Sequence, residues 1–234
     1  MRHGAAAGAG RRALNLAVPA APQPLYLDPW LVVVDKPAGL LSVPGRGEDK
    51  QDCLVGRLQA RWPDTLTVHR LDMGTSGLMV FARDPATQAA LGLAFAERRV
   101  LKHYEAVVDG DAVQREIDAD GWSRIDLPLI ADWPRRPLQK VCREQGKPSS
   151  TLWRSLGAEP ALGGTRVALQ PLTGRTHQLR VHLLAIGHVI LGDGLYAHGQ
   201  ALARSPRLLL HARTLAFDHP ATGASLRFDG PPPF

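Results

Sequence analysis

From Leu25 onward the chain consists of short apolar runs bounded by glycine and proline, with only a few stretches of helical spacing between them. Runs at Leu31 to Val34, Leu78 to Phe81, Tyr104 to Val108, Thr165 to Leu169, Leu208 to His211 and Ala224 to Phe228 read as strands. Helical periodicity shows in three places: Leu54, Leu58 and Trp62; Ala89, Leu93 and Ala96; Leu179, Leu183 and Ile186. The third predicted helix opens after Thr173, whose hydroxyl can cap the first free amides, and stops at Gly187. Strands cluster and helices fall among them irregularly, so the expected fold is α+β, a mixed, largely antiparallel sheet flanked by helices.

Residues 1–24 are mostly Ala, Gly, Pro and Arg and cannot bury enough apolar surface to offset ordering entropy, so they are expected to form a disordered tail ahead of one domain spanning 25–234. No run approaches the roughly 18 to 20 apolar residues that span a bilayer, which argues against a membrane role. Two cysteines, Cys53 and Cys142, make no disulfide framework and point to a reducing, cytoplasmic home. The net charge of +6 favours a polyanionic partner such as nucleic acid.

Three segments concentrate polar chemistry. The first, Val68 to Gly77, sets Asp72 two residues after Arg70 in a loop before a strand. It reads either as a turn with a local ion pair or as a carboxylate nucleophile exposed at a strand end. The second, Leu172 to His182, would put Arg175 in the first turn of a helix, where free amides already favour an anion. His177 and His182 lie about 140° apart around a helix and on opposite faces of a strand, so they make a poor metal pair. The third, Leu101 to Val108, is strand-like and places Lys102 and Tyr104 on one face. Tyr104 there either packs in the sheet or lines a cleft, where its ring can stack on a base. A basic loop around Arg135, Arg136 and Lys140 is solvated surface or a phosphate contact. Neither the stretch Gly4 to Gly10 nor Gly146-Lys147-Pro148 has the context of a nucleotide-binding loop, so no cofactor is expected.

Taken in order, Asp35 to Gly45, His69 to Asp72 with Thr75 to Gly77, Lys102 to Tyr104, Leu172 to His182 with Gly192 and Asp193, and Arg207 to Ala212 resemble the RluA family of pseudouridine synthases. The resemblance covers residues 25–234. The stretch Asp126 to Lys147 resembles the subgroup acting on both 23S rRNA and the tRNA anticodon stem-loop. Many relatives carry an N-terminal S4 domain. Only a short tail stands in its place here, so RNA recognition is expected from the catalytic domain's own surface.

The resemblance implies a pseudouridine synthase fold with a catalytic cleft that isomerises uridines in RNA without a cofactor; a monomer is the default expectation for an RNA-modifying domain of this size. It implies that Asp72 is the catalytic aspartate, that Tyr104 stacks on the target base and takes part in proton transfer, and that Arg175 pairs with Asp72. Either Leu209 or Leu210 would pack under the uracil, and Arg70 would enter the RNA stack vacated by the flipped nucleotide. His69, Arg135, Arg136 and Lys140 are expected RNA contacts. The alternative is an inactive RNA-binding module of the same fold.

Overall fold

The computed structural model describes residues 22–234. The predicted tail therefore lies almost wholly outside the described residues, except at its end. There Pro24 already pairs with Val34, so ordered structure begins one residue earlier than expected.

Twelve strands and four α-helices follow in chain order. The strands are β1 (Pro24–Leu27), β2 (Leu31–Lys36), β3 (Leu66–Thr67), β4 (Ser76–Ala82), β5 (Leu101–Asp109), β6 (Ser123–Asp126), β7 (Leu129–Ala131), β8 (Gln139–Val141), β9 (Ser150–Glu159), β10 (Gly164–Pro171), β11 (Leu210–Asp218) and β12 (Ser225–Asp229). The helices are α1 (Leu54–Gln59), α2 (Pro85–Ala96), α3 (Gln178–Ala185) and α4 (Gly199–Ala203). Ten strands form one sheet whose main path runs β1-β2-β4-β11-β5-β10-β9-β6; β3 pairs with β4, β12 with β11, and β7 and β8 make a separate hairpin. The fold is α+β with a mostly antiparallel sheet, as expected.

Period-2 alternation in β2 and β4 explains the covering helices. Val32, Val34, Met79 and Phe81 face α1, whereas Leu31, Val33, Leu78 and Val80 face α2, so both strands are apolar on both sides. Helix α2 starts sharply because Asp84 accepts from the Thr87 amide at 2.8 Å and Pro85 supplies a preset first position. A third core lies on β5, β10 and β11 beneath α3 and α4.

The two parts of the sheet meet at β4 and β11, a parallel contact of two register pairs, His211 with Ser76 and Ala212 with Gly77. Gly77 has φ 119°, and a Cβ there would overlap the backbone of Ala212. On the other side Ala212 pairs with Tyr104. Tyr104 packs against the cores of both parts, so this seam fixes where its ring stands.

Two local expectations need correction. The last long strand starts at Leu210 rather than Leu208 and runs to Asp218, held by β4, β5 and β12. Helix α3 starts at Gln178, because His177 takes a left-handed conformation (φ 54°), and Thr173 is not its cap. Instead the Thr173 hydroxyl donates to Gln178 Oε1, and Gln178 Oε1 also accepts from the Arg175 amide.

Candidate active site

Asp72 lies in the loop between β3 and β4, and the Asp35 to Ser42 segment holds that loop from behind. Lys36, fully buried, donates from Nζ to the carbonyls of Leu40 (2.7 Å), Pro37 (3.0 Å) and Met73 (3.2 Å). Burial pushes its ammonium down to about 8. The Gly39 amide also donates to Met73 O, and the Ser42 hydroxyl donates to Leu71 O. These bonds clamp the residues on either side of Asp72, so the carboxylate is presented from a fixed backbone.

The group that meets Asp72 is Arg180, not Arg175. Arg180 Nη1 donates to Asp72 Oδ2 at 3.2 Å, while Nε and Nη2 grip Asp193 at 2.8 and 2.6 Å. Asp193 is fully buried and Arg180 nearly so. This fork geometry fixes the guanidinium and raises its already high pKa, the two carboxylates outweighing the cost of burial. Arg175 instead is exposed ahead of α3, its Nε directed at Pro148 O. The physical reason is the late helix start: with α3 opening at Gln178, Arg180 falls in its first turn on the buried face and Arg175 stays in the preceding loop.

A second chain of contacts, through Tyr196 and His177, ends near Asp72. Tyr196 Oη accepts from the Gln139 amide at 2.9 Å and lies 2.7 Å from His177 Nδ1. The phenol oxygen has a second lone pair, so the contact with His177 forms with the phenol donating to Nδ1 or accepting from it, according to the His177 tautomer. His177 Nε2 faces Asp72 Oδ2 at 3.9 Å. Burial lowers the His177 pKa from its ordinary value, which keeps the ring neutral near pH 7. His182 is spoken for elsewhere, with Thr151 Oγ1 on one nitrogen and Leu127 O on the other, both at 2.9 Å.

These groups open into a cleft of about 750 Å³ whose wall includes Asp72, Tyr104, Leu210 and Arg180. Six cations line it, Arg70, Arg98, Arg99, Lys102, Arg175 and Arg180, against the single acid Asp72. Burial and the nearby Asp72 charge push the Tyr104 phenol well above 10, so it stays protonated at physiological pH. Of the two leucines left open by the sequence, Leu210 lines the cleft, while Leu209 is buried in the β5–β11 core.

The remaining expected residues divide. Arg70 is exposed at the cleft wall, where an inserted side chain would have to be. His69 borders the same cleft, but its Nε2 accepts from the Val80 amide at 3.1 Å and its ring stacks on Phe95. Burial pushes it down to about 3, so it is a neutral strut for the loop and lacks the charge of a phosphate contact. Arg135, Arg136 and Lys140 sit on the β7–β8 hairpin, away from the cleft wall, with Arg135 and Lys140 reaching the buried carboxylate of Asp132 at 2.6 and 3.5 Å. That hairpin touches the site indirectly, through the Gln139 amide on Tyr196.

Sequence reasoning missed Arg180, Asp193, His177, Tyr196 and Lys36 as site residues. One signal was available: positions 177 and 180 share a helix face, and Arg180 sits within the run Gln178 to Leu183, buried throughout. A charge on a buried stripe needs a partner.

The chain belongs to the RNA pseudouridylate synthase family, whose family model matches residues 30–185. Its relatives include the dual-specificity RNA pseudouridine synthase RluA of Escherichia coli (strain K12), 50% identical over 211 residues, which are 90% of this chain and 93% of that protein. The RluA of Yersinia pestis is 49% identical over 87% of this chain and 96% of its own length. Among solved structures, human RNA pseudouridylate synthase domain containing 1 superposes with a TM-score of 0.72 at 31% identity, covering 89% of this chain and 82% of that one.

Proposed function

We propose that this chain isomerises uridine to pseudouridine in structured RNA, and that its substrates are 23S rRNA and the tRNA anticodon stem-loop. The observation that carries the reading is the Asp72 carboxylate held by Arg180 beside Tyr104, in a cation-lined cleft. The 50% identity to a dual-specificity RluA over nearly the whole chain supports the choice of RNAs.

In the isomerisation the N1–C1′ bond breaks, the uracil turns, C5 bonds to C1′, the C5 proton leaves and N1 regains one. No net redox change or group donor is required. The target base must leave its stack, at a cost of a few kcal/mol, and Arg70 at the cleft wall is placed to fill the vacated space. Tyr104 and Leu210 supply an aromatic and an aliphatic surface for the turning ring. Asp72 takes part as a carboxylate, by adding to C1′, by adding to C6 or by drawing a proton from C2′. Arg180 holds its reactive oxygen in place, and the neutral His177 ring stands near the same oxygen without adding a second full charge.

The test is incubation of the protein with 23S rRNA and tRNA transcripts, followed by carbodiimide-stop mapping of pseudouridine. New stops at defined uridines in both RNAs are expected. Stops in one RNA alone would reject dual substrates, and stops in neither would reject the isomerase.

A further inference from the structure

The cleft does not end at Arg175. A second groove of about 490 Å³ shares Arg98, Leu172, Thr173 and Arg175 with it, so the two adjoin at those residues. Arg98 comes from the turn after α2 and Arg175 from the loop before α3, so separate elements supply the two junction cations. Farther out the groove is walled by Arg124 on β6 and Arg143 just after β8. Asp126 is its single acid, and its ion pair is with Arg124 at 2.7 Å. Among the described residues, Arg98, Arg143 and Arg175 have no carboxylate partner, in contrast to Arg57, Arg83, Arg166 and Arg204 elsewhere on the surface. Arg98 also holds a left-handed backbone, φ 62°, unusual for a residue with a side chain. Unpaired, exposed guanidinium groups from three elements converging on one groove make a track for regularly spaced anions.

We propose that this groove is a second RNA subsite, which holds the phosphodiester backbone of the single strand leading away from the target nucleotide, with Arg98 and Arg175 at its junction with the cleft. The proposal rests on the reading of the cleft as the site of an RNA-modifying enzyme. It gives Arg175 work outside the Asp72 pair, since one side chain borders both cavities. The strand in the groove is recognised through its phosphates, so the subsite adds affinity without reading bases.

The test is fluorescence anisotropy across a salt series with three RNAs: a stem-loop carrying the target uridine in its single-stranded loop, and versions in which the loop phosphates on the 5′ or the 3′ side of that uridine are uncharged methylphosphonates. The proteins are wild type, Arg143→Gln and, as a control on an exposed arginine of β12, Arg227→Gln; thermal melts verify that each is folded. One lost contact to a single strand flattens the salt slope by about 0.7, which is a loss of about 5-fold at 0.1 M monovalent salt. The expected result is that loss on the unmodified RNA and its disappearance on one of the two methylphosphonate RNAs. Equal losses on all three RNAs, a loss matched by Arg227→Gln, or an unchanged slope would each overturn the proposal. Binding that depends on Arg143 in a protein that modifies no RNA would uphold the groove and reject the isomerase, so the two failures are separable.

Discussion

Arg180→Gln separates what the buried ion network does for the fold from what it does for Asp72. In the native chain Arg180 satisfies Asp193, whose side chain is sealed from solvent, through Nε and Nη2 and donates from Nη1 to Asp72. Removing the guanidinium leaves Asp193 buried without its counter-charge, a loss of about 3–5 kcal/mol. For a domain of this size that lowers the melting temperature by roughly 6–20 °C. The same change removes a charge-assisted hydrogen bond from Asp72, about 1.5–3 kcal/mol if that contact persists into the transition state. The isomerisation rate then falls roughly 10- to 150-fold. The paired variant Arg180→Gln/Asp193→Asn neutralises the buried carboxylate, so thermal melts recover most of the loss while C5-tritium release from uridine stays slow. Melting of Arg180→Gln within a degree or two of wild type, or wild-type turnover by the paired variant, would refute the reasoning.

Three further perturbations follow from the same geometry. Tyr196→Phe strands the Gln139 amide and frees His177 Nδ1, costing about 1–3 kcal/mol of stability; nitrogen NMR of His177 is expected to show a changed balance of ring tautomers, and an unchanged spectrum would contradict the contact with Tyr196. Lys36 has a folded pKa of about 8 against an ordinary 10.5, so the unfolded chain binds the extra proton between those values and stability rises with pH across that window. Wild type is expected to gain stability relative to Lys36→Met from pH 8 to 10 in denaturant titrations, and parallel curves would contradict a buried ammonium. Gly77→Ala drives a Cβ into the Ala212 backbone at the β4–β11 seam and destabilises by about 2–5 kcal/mol from overlap and positive φ together; a melt equal to wild type would show that the seam yields.

Much of the fold could be read from the chain because β2, β4, β5 and β10 carry dense apolar alternation with glycine and proline at their ends. Strand β9 escaped because its outer half is exposed and carries no apolar alternation, although it forms a hairpin with β10. The hairpin β7–β8 escaped because its strands are three residues each. In the site, Asp72 and Tyr104 were legible from their motifs, whereas the partner of Asp72 was not. Two arginines stand five residues apart in one segment, and the choice between them depends on where α3 begins. Reading Thr173 as the cap moved the start four residues too early and promoted Arg175. The left-handed turn at His177 that sets the true start has no strong local signature, since only glycine adopts it freely and none stands at that position. Asp193 read as part of a glycine turn, which it is, yet the same turn buries its carboxylate against Arg180 from 13 residues away. Contacts across such separations, and the 108 residues between Asp72 and Arg180, are set by the sheet seam and by no local pattern.

The most direct measurement is tritium release from C5-labelled uridine in 23S rRNA and tRNA transcripts by wild type and by Asp72→Asn, because forming the C5–C1′ bond must free the C5 proton. An Asp72-dependent isomerase releases tritium with wild type and none above background with Asp72→Asn, while the variant, isosteric at a side chain only partly buried, still binds the RNA and melts like wild type. Release by folded Asp72→Asn at the wild-type rate, or no release by wild type from RNA that it binds, would contradict it.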